Sequence, residues 1–124
     1  MVSPLNTKVD LTIPATFLMG LTKYGNVMIG DKAFEFYNER NVTDNIQIPW
    51  NEIDRIEGSV VLKGKKISRF AIFKKDGSYY TFSTRDNKKT LRACNLYIPS
   101  EKLVRAWSAI DVLNNKFHKK NKSF

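Results

Sequence analysis

The sequence predicts a mainly antiparallel β domain, a sandwich or barrel, that ends in helices. Seven or so short apolar runs follow one another at close spacing, each ended by turn chemistry, with no helical pattern between them. The span Asn45–Ile56 alternates Ile46, Ile48 and Trp50 and then enters a second apolar register at Ile53 and Ile56, as a strand pair that buries one face does. After Asp86 the apolar spacing changes from that of a strand to that of a helix.

Taken in order, Val9, Leu11 and Ile13 alternate between Pro4 and Pro14 and predict one edge strand. Phe17 to Thr22 is the next strand, followed by a turn at Lys23-Tyr24-Gly25-Asn26, a strand from Val27 to Ile29, a turn at Gly30-Asp31-Lys32 and a strand from Ala33 to Asn38. Gly25 and Gly30 suit turn positions that need positive φ. A polar loop, Glu39 to Asp44, leads to the Ile46, Ile48, Trp50 strand, where Pro49 predicts an edge or a bulge. Arg55 to Leu62 is followed by the turn Lys63-Gly64-Lys65-Lys66 and a strand from Ile67 to Phe73. Asp76-Gly77 signals a tight hairpin before Tyr79 to Ser83.

Asp86 is the expected N-cap of a helix to about Tyr97, with Leu91, Cys94 and Ile98 as its apolar stripe, and Pro99 stops it. Ser100 then caps a predicted second helix over 101–117, in which Leu103, Trp107, Ile110, Leu113 and Phe117 recur at intervals of four, three, three and four. His118 to Phe124 has no apolar stripe and reads as a mobile basic tail.

The chain has 124 residues, enough for one domain with a core that needs neither disulfide nor metal. The single cysteine, Cys94, reads as a reduced, buried thiol. No leader pattern and no apolar run of spanning length is present, so a cytoplasmic protein is expected. Net charge is +9, of which residues 101–124 supply +4 from six basic and two acidic groups. That balance selects phosphates, anionic lipid or acidic protein surfaces as partners.

The strand order with a closing C-terminal helix resembles the pleckstrin-homology-like superfold, including its lipid-associated GRAM branch. The residues that carry this are Ile48-Pro49-Trp50 with Ile53 and Ile56, Asp76-Gly77 before Tyr80 and Phe82, and the helix after Asp86. Residues 1–100 are then a PH-like barrel with its closing helix, and 101–124 an amphipathic helix and basic tail on the same structural domain. A closer likeness lies in Gly20-Leu21-Thr22-Lys23-Tyr24-Gly25, in the run Ile29 to Asn38, and in Ile46-Gln47-Ile48-Pro49-Trp50, Arg69-Phe70-Ala71-Ile72 and Tyr97-Ile98-Pro99-Ser100. These resemble the ManO-type family, small proteins of Gram-positive bacteria encoded beside the mannose-class sugar phosphotransferase permease and described as regulators of that operon. The resemblance implies a cytoplasmic accessory of sugar uptake with permease subunits as partners; it supplies no catalytic or ligand residues.

An ordinary active site is hard to assemble from these residues, and no catalytic, metal or cofactor-binding residue is assigned. His118, the only histidine, lies in the basic tail and not in a pocket that would position it for phosphoryl transfer. Glu52, Asp54 and Glu57 read as a solvated strand end, and Ser59 and Ser68 have no neighbouring histidine base. The candidate anion or lipid site is the basic turn Lys63, Lys65 and Lys66 with Arg69. The candidate partner or membrane-docking element is the second helix, through Trp107, Ile110, Leu113 and Phe117 with Lys116, Lys119 and Lys120. A non-enzymatic regulatory accessory acting by protein interaction at the inner membrane face is therefore expected. An anionic membrane surface and a second copy of this chain, through the second helix, are further candidate partners. The alternatives are a DNA-binding regulator, since two helices about Ile98-Pro99-Ser100 mimic a helix-turn-helix, and an anionic headgroup binder.

Overall fold

A computed structural model describes residues 3–62 and 64–107, with the side chain of Trp107 left out. Its elements are β1 Val9–Phe17, β2 Lys23–Gly30, β3 Ala33–Asn38, β4 Asn45–Pro49, β5 Ile53–Val61, β6 Lys66–Lys74, β7 Tyr79–Thr84, α1 Asn87–Cys94 and β8 Leu103–Trp107. Single 3-10 turns at Trp50–Glu52 and Ser100–Lys102 precede β5 and β8. The strands form one eight-stranded sheet in the order β4-β3-β2-β1-β7-β6-β5-β8.

The expected mainly β architecture with a helix near its C-terminal end is present, with three corrections. The sheet is not closed into a barrel, because β4 and β8 are its two edges. It is not wholly antiparallel, because β8 runs parallel to β5, with Ile56 opposite Leu103 and Val60 opposite Trp107. The described residues contain one helix and not two: Leu103–Trp107 is a strand. The reason is arithmetic, since a spacing of four is about one helical turn but also an even step along a strand, so Leu103 and Trp107 share a face in either form. Pairing to the second edge of β5 decides between them, and Leu103 is 4% exposed. Ile110, Leu113, Lys116, Phe117, His118, Lys119 and Lys120 lie outside the described residues, as does Lys63.

The N-terminal half is shifted from expectation. The strand expected from Phe17 to Thr22 ends at Phe17, and the residues expected to turn, Lys23 to Asn26, are already in β2. The bend lies before them, where Gly20 takes φ 62°. β1 is not an edge; it sits between β2 and β7. Pro14 is tolerated there because the β7 ladder begins only at Ala15, opposite Thr84. Gly25 and Gly30 do not adopt positive φ. They are required for close approach instead: a Cβ on Gly25 would overlap the carbonyl oxygen of Tyr37, and one on Gly30 that of Lys8.

The core follows the expected pattern. Phe82 packs at its centre against Phe34, Phe17 and Phe36 at ring separations of 5.1, 5.3 and 5.5 Å. Ile48, Ile53, Ile56 and Ile72 are buried around it, and Trp50 lies over the sheet end, stacked on Tyr97 at 5.4 Å and donating to the Gly30 carbonyl at 2.8 Å. Pro49 ends the edge strand β4, as its missing N–H permits. α1 begins where expected, with the Asp86 side chain accepting from the Lys89 N–H, and stops at Cys94. Its apolar face, Leu91 and Cys94, closes the core.

Candidate functional site

The run Ile29 to Asn38 is architectural. Asn6 bridges it: its Oδ1 accepts from the N–H groups of Lys32 and Ala33, and its Nδ2 donates to the Ala33 carbonyl and to Glu35. Asp31 accepts from the N–H groups of Thr7 and Lys8 and from the Thr7 hydroxyl, and these bonds, the hydroxyl's first, lower its carboxyl to about 2. Glu35 is fully buried and accepts from Leu5 N–H, Asn6, Tyr37 and Gln47. Burial first, then the Glu35 carboxylate, pushes the Tyr37 phenol up to about 12. These groups fasten the N-terminal segment to the β2–β3 hairpin and are directed at one another.

The acidic cluster is likewise engaged. Arg55 lies between Asp54 and Glu57, at 2.9 and 2.6 Å, and over the Phe73 ring at 4.0 Å, while Glu52 pairs with Lys74 at 3.2 Å. Cys94 is buried and its thiol is pushed up by desolvation, the opposite of an activated nucleophile. Among the described residues no three His, Cys, Asp or Glu side chains converge on a common point.

The basic turn gains partners that sequence reasoning missed. Phe70 pairs with Phe82 and Phe73 with Tyr79, so the β6–β7 register carries Lys66 to the level of Asp86. The turn before β6 and the turn into α1 thus meet around a cleft of about 380 Å³, where, among the described residues, Lys65, Lys66, Arg85 and Lys88 stand with one carboxylate, Asp86, and with Ser68, Ser83 and Thr84. The wall is rigid. Asn87, itself buried, donates to the Ile67 carbonyl at 2.9 Å and accepts from the Thr84 N–H at 2.8 Å, and Ser83 donates to the Ser68 carbonyl at 3.0 Å. Asp86 is engaged in capping α1, and among the described residues no carboxylate pairs with Lys65, Lys66, Arg85 or Lys88. Lys88 Nζ donates to the Lys65 carbonyl at 3.1 Å, which holds the ammonium over the turn. Arg69 is exposed on β6 and lines no part of this cleft.

A second cleft, of about 290 Å³, lies on the other side of Lys88, between α1, the β5–β6 hairpin and β8. Val60, Ile67, Leu91 and Leu103 give it an apolar floor, and Lys88, Arg92 and Arg105, with Asn95 and Gly64, complete its lining. Of the docking residues expected in 101–117, only Trp107 falls within the described elements, as the last position of β8. The Asp86 cap together with Lys88 and Arg92 was the available signal for this face; the closure by β8 had none.

An open eight-stranded sheet with, among the described residues, one helix and a cleft that carries four cations beside it defines a β-rich domain. The chain belongs to the family described as a domain of unknown function (DUF956), whose model matches residues 1–117. No curated protein matches it. Among solved structures it is similar to the C-terminal domain of an unknown protein from Leishmania infantum, with a TM-score of 0.63 and 12% identity over 72% of this chain and 82% of that one. At that identity the likeness shows the fold alone.

Proposed function

We propose that this chain is a non-enzymatic regulatory accessory of a mannose-class sugar phosphotransferase system, PH-like in architecture, acting by protein interaction at the cytoplasmic face of the membrane. One observation supports the surface: among the described residues Lys65, Lys66, Arg85 and Lys88 converge on a cleft that one carboxylate, Asp86, also lines, an excess of positive charge. An excess of positive charge of this kind speeds encounter with an acidic surface and fixes orientation on it. The transport setting comes from the sequence runs Gly20 to Gly25 and Ile29 to Asn38, through the family they resemble. Among the described residues no helix is long and apolar enough to cross a membrane. A docking helix has no part over Leu103–Trp107, which is strand.

The test is a pull-down from solubilised membranes with the intact chain and with K65E/K66E/R85E/K88E, read by mass spectrometry. Recovery of permease subunits by the intact chain and not by the variant is the expected result. Failure of both to recover them removes the accessory reading, and equal recovery moves the contact elsewhere.

A second reading, capture of a phosphate or anionic lipid headgroup, is favoured by the same four cations gathered around one cleft. Binding to phosphatidylglycerol vesicles and not to phosphatidylcholine vesicles, lost in the same variant, is its signature. Over Leu103–Trp107 the second helix of the helix-turn-helix mimic is replaced by the strand β8, and the support left for DNA binding is the salt-sensitive attraction of the chain's cations for phosphate.

A further inference from the structure

We propose that the second cleft binds a small amphipathic organic anion, an apolar body bearing one carboxylate or phosphate head. The inference goes beyond the docking surface and stands without it.

The geometry has three parts. The first is the floor: Val60, Ile67, Leu91 and Leu103 come from β5, β6, α1 and β8, so four separate elements present apolar side chains to one concavity of about 290 Å³. That volume is at the small end for ligand pockets and suits a short apolar body, not a peptide. The second is the rim. Lys88 and Arg92 are one helical step apart on α1, at i and i+4, and so stand in line over Leu91. Among the described residues no aspartate or glutamate lines the cleft. Charge complementarity therefore selects an anion, and the apolar floor selects one with a hydrocarbon face. The third is fixation of the rim, since Lys88 Nζ is held by the Lys65 carbonyl at 3.1 Å and its ammonium retains two further protons to donate to a ligand head.

Inorganic phosphate satisfies the rim but leaves the floor uncovered. A neutral alcohol of the same length covers the floor but leaves the rim without its counter-charge. Only a molecule with both parts matches both features.

The test is a titration of the full chain, followed by amide NMR shifts, with hexanoate, hexyl phosphate, hexanol and inorganic phosphate. The expected result is saturable movement of the Val60, Leu91 and Leu103 amides with hexanoate or hexyl phosphate, and the stronger of the two identifies the head. Hexanol should bind at least tenfold more weakly. Arg92→Glu should weaken the anion by tenfold or more with an unchanged melting temperature, and Arg92→Gln by less. Equal binding of hexanol overturns the role of the cations. Movement of the same amides by inorganic phosphate, with the same affinity as hexyl phosphate, overturns the role of the floor. Absence of saturable shifts with either amphipathic anion overturns the site, whatever the pull-down from membranes shows.

Discussion

Replacing Asn6 by alanine removes four hydrogen bonds at one stroke. Its Oδ1 accepts from Lys32 N–H and Ala33 N–H, both at 2.8 Å, and its Nδ2 donates to the Ala33 carbonyl at 3.0 Å and to Glu35 Oε1 at 2.9 Å. Three of the orphaned groups are backbone and one is a buried carboxylate oxygen. A net value of about 0.5–1.5 kcal/mol per bond gives ~2–6 kcal/mol. Asn6 is only half-buried, so water restores part of this, and about 2–4 kcal/mol is the expected loss. In a domain of this size that lowers Tm by roughly 8–16 °C. Urea and thermal denaturation followed by circular dichroism measure it. Asn41→Ala is the control, since Asn41 makes its bonds to Thr43 in an exposed loop and its loss should cost about 0.5 kcal/mol or less. Asn6→Ala within about 0.5 kcal/mol of the parent chain would refute the view that the N-terminal segment is fastened through this residue.

Gly25→Ala should destabilise by about 1–3 kcal/mol or more in the same assay, because the added methyl meets the Tyr37 carbonyl of the neighbouring strand and not a movable side-chain end. Gly77→Ala has open space and loses only the positive-φ allowance at φ 93°, about 1–2 kcal/mol. Asp31, whose carboxyl is lowered from 3.8 to about 2, stabilises the fold above pH 4, and this contribution disappears as the pH falls from about 4 to about 2. Asp31→Asn should therefore flatten the acid limb of the stability profile in that window. Cys94, buried with its thiol raised, should resist a thiol reagent in the folded chain and react at once in denaturant.

Much of the fold was legible because its strands obey local rules. Ala33 to Asn38, the Asp76-Gly77 hairpin and the Asp86 cap stand where turn chemistry and period put them. The turn expected at Lys23 to Asn26 was misplaced because Gly25 was given a positive φ; its purpose is to let β2 and β3 approach, which no local rule reveals. The strand Leu103–Trp107 was misread because one spacing of four fits two periods, and the decision lay with β5, more than forty residues earlier in the chain. Barrel closure depends on whether the edge strands meet, a property of the whole sheet. The candidate site was half legible. Lys65 and Lys66 were visible as a basic turn, but Arg85 and Lys88 join them only through the β6–β7 register.

The central claim is that the position of the charge, and not its total, makes the docking surface. Binding of the purified chain to inverted cytoplasmic membrane vesicles tests it most directly, comparing K65E/K66E/R85E/K88E with an equal reversal elsewhere on the exposed surface, K8E/K32E/R40E/K75E. At about 1 kcal/mol per near-surface cation, loss of the four cations alone predicts a weakening approaching 10³-fold for the first variant, with the second close to the intact chain. Equal weakening in both variants would show that net charge alone draws the chain to the membrane, and would contradict the account.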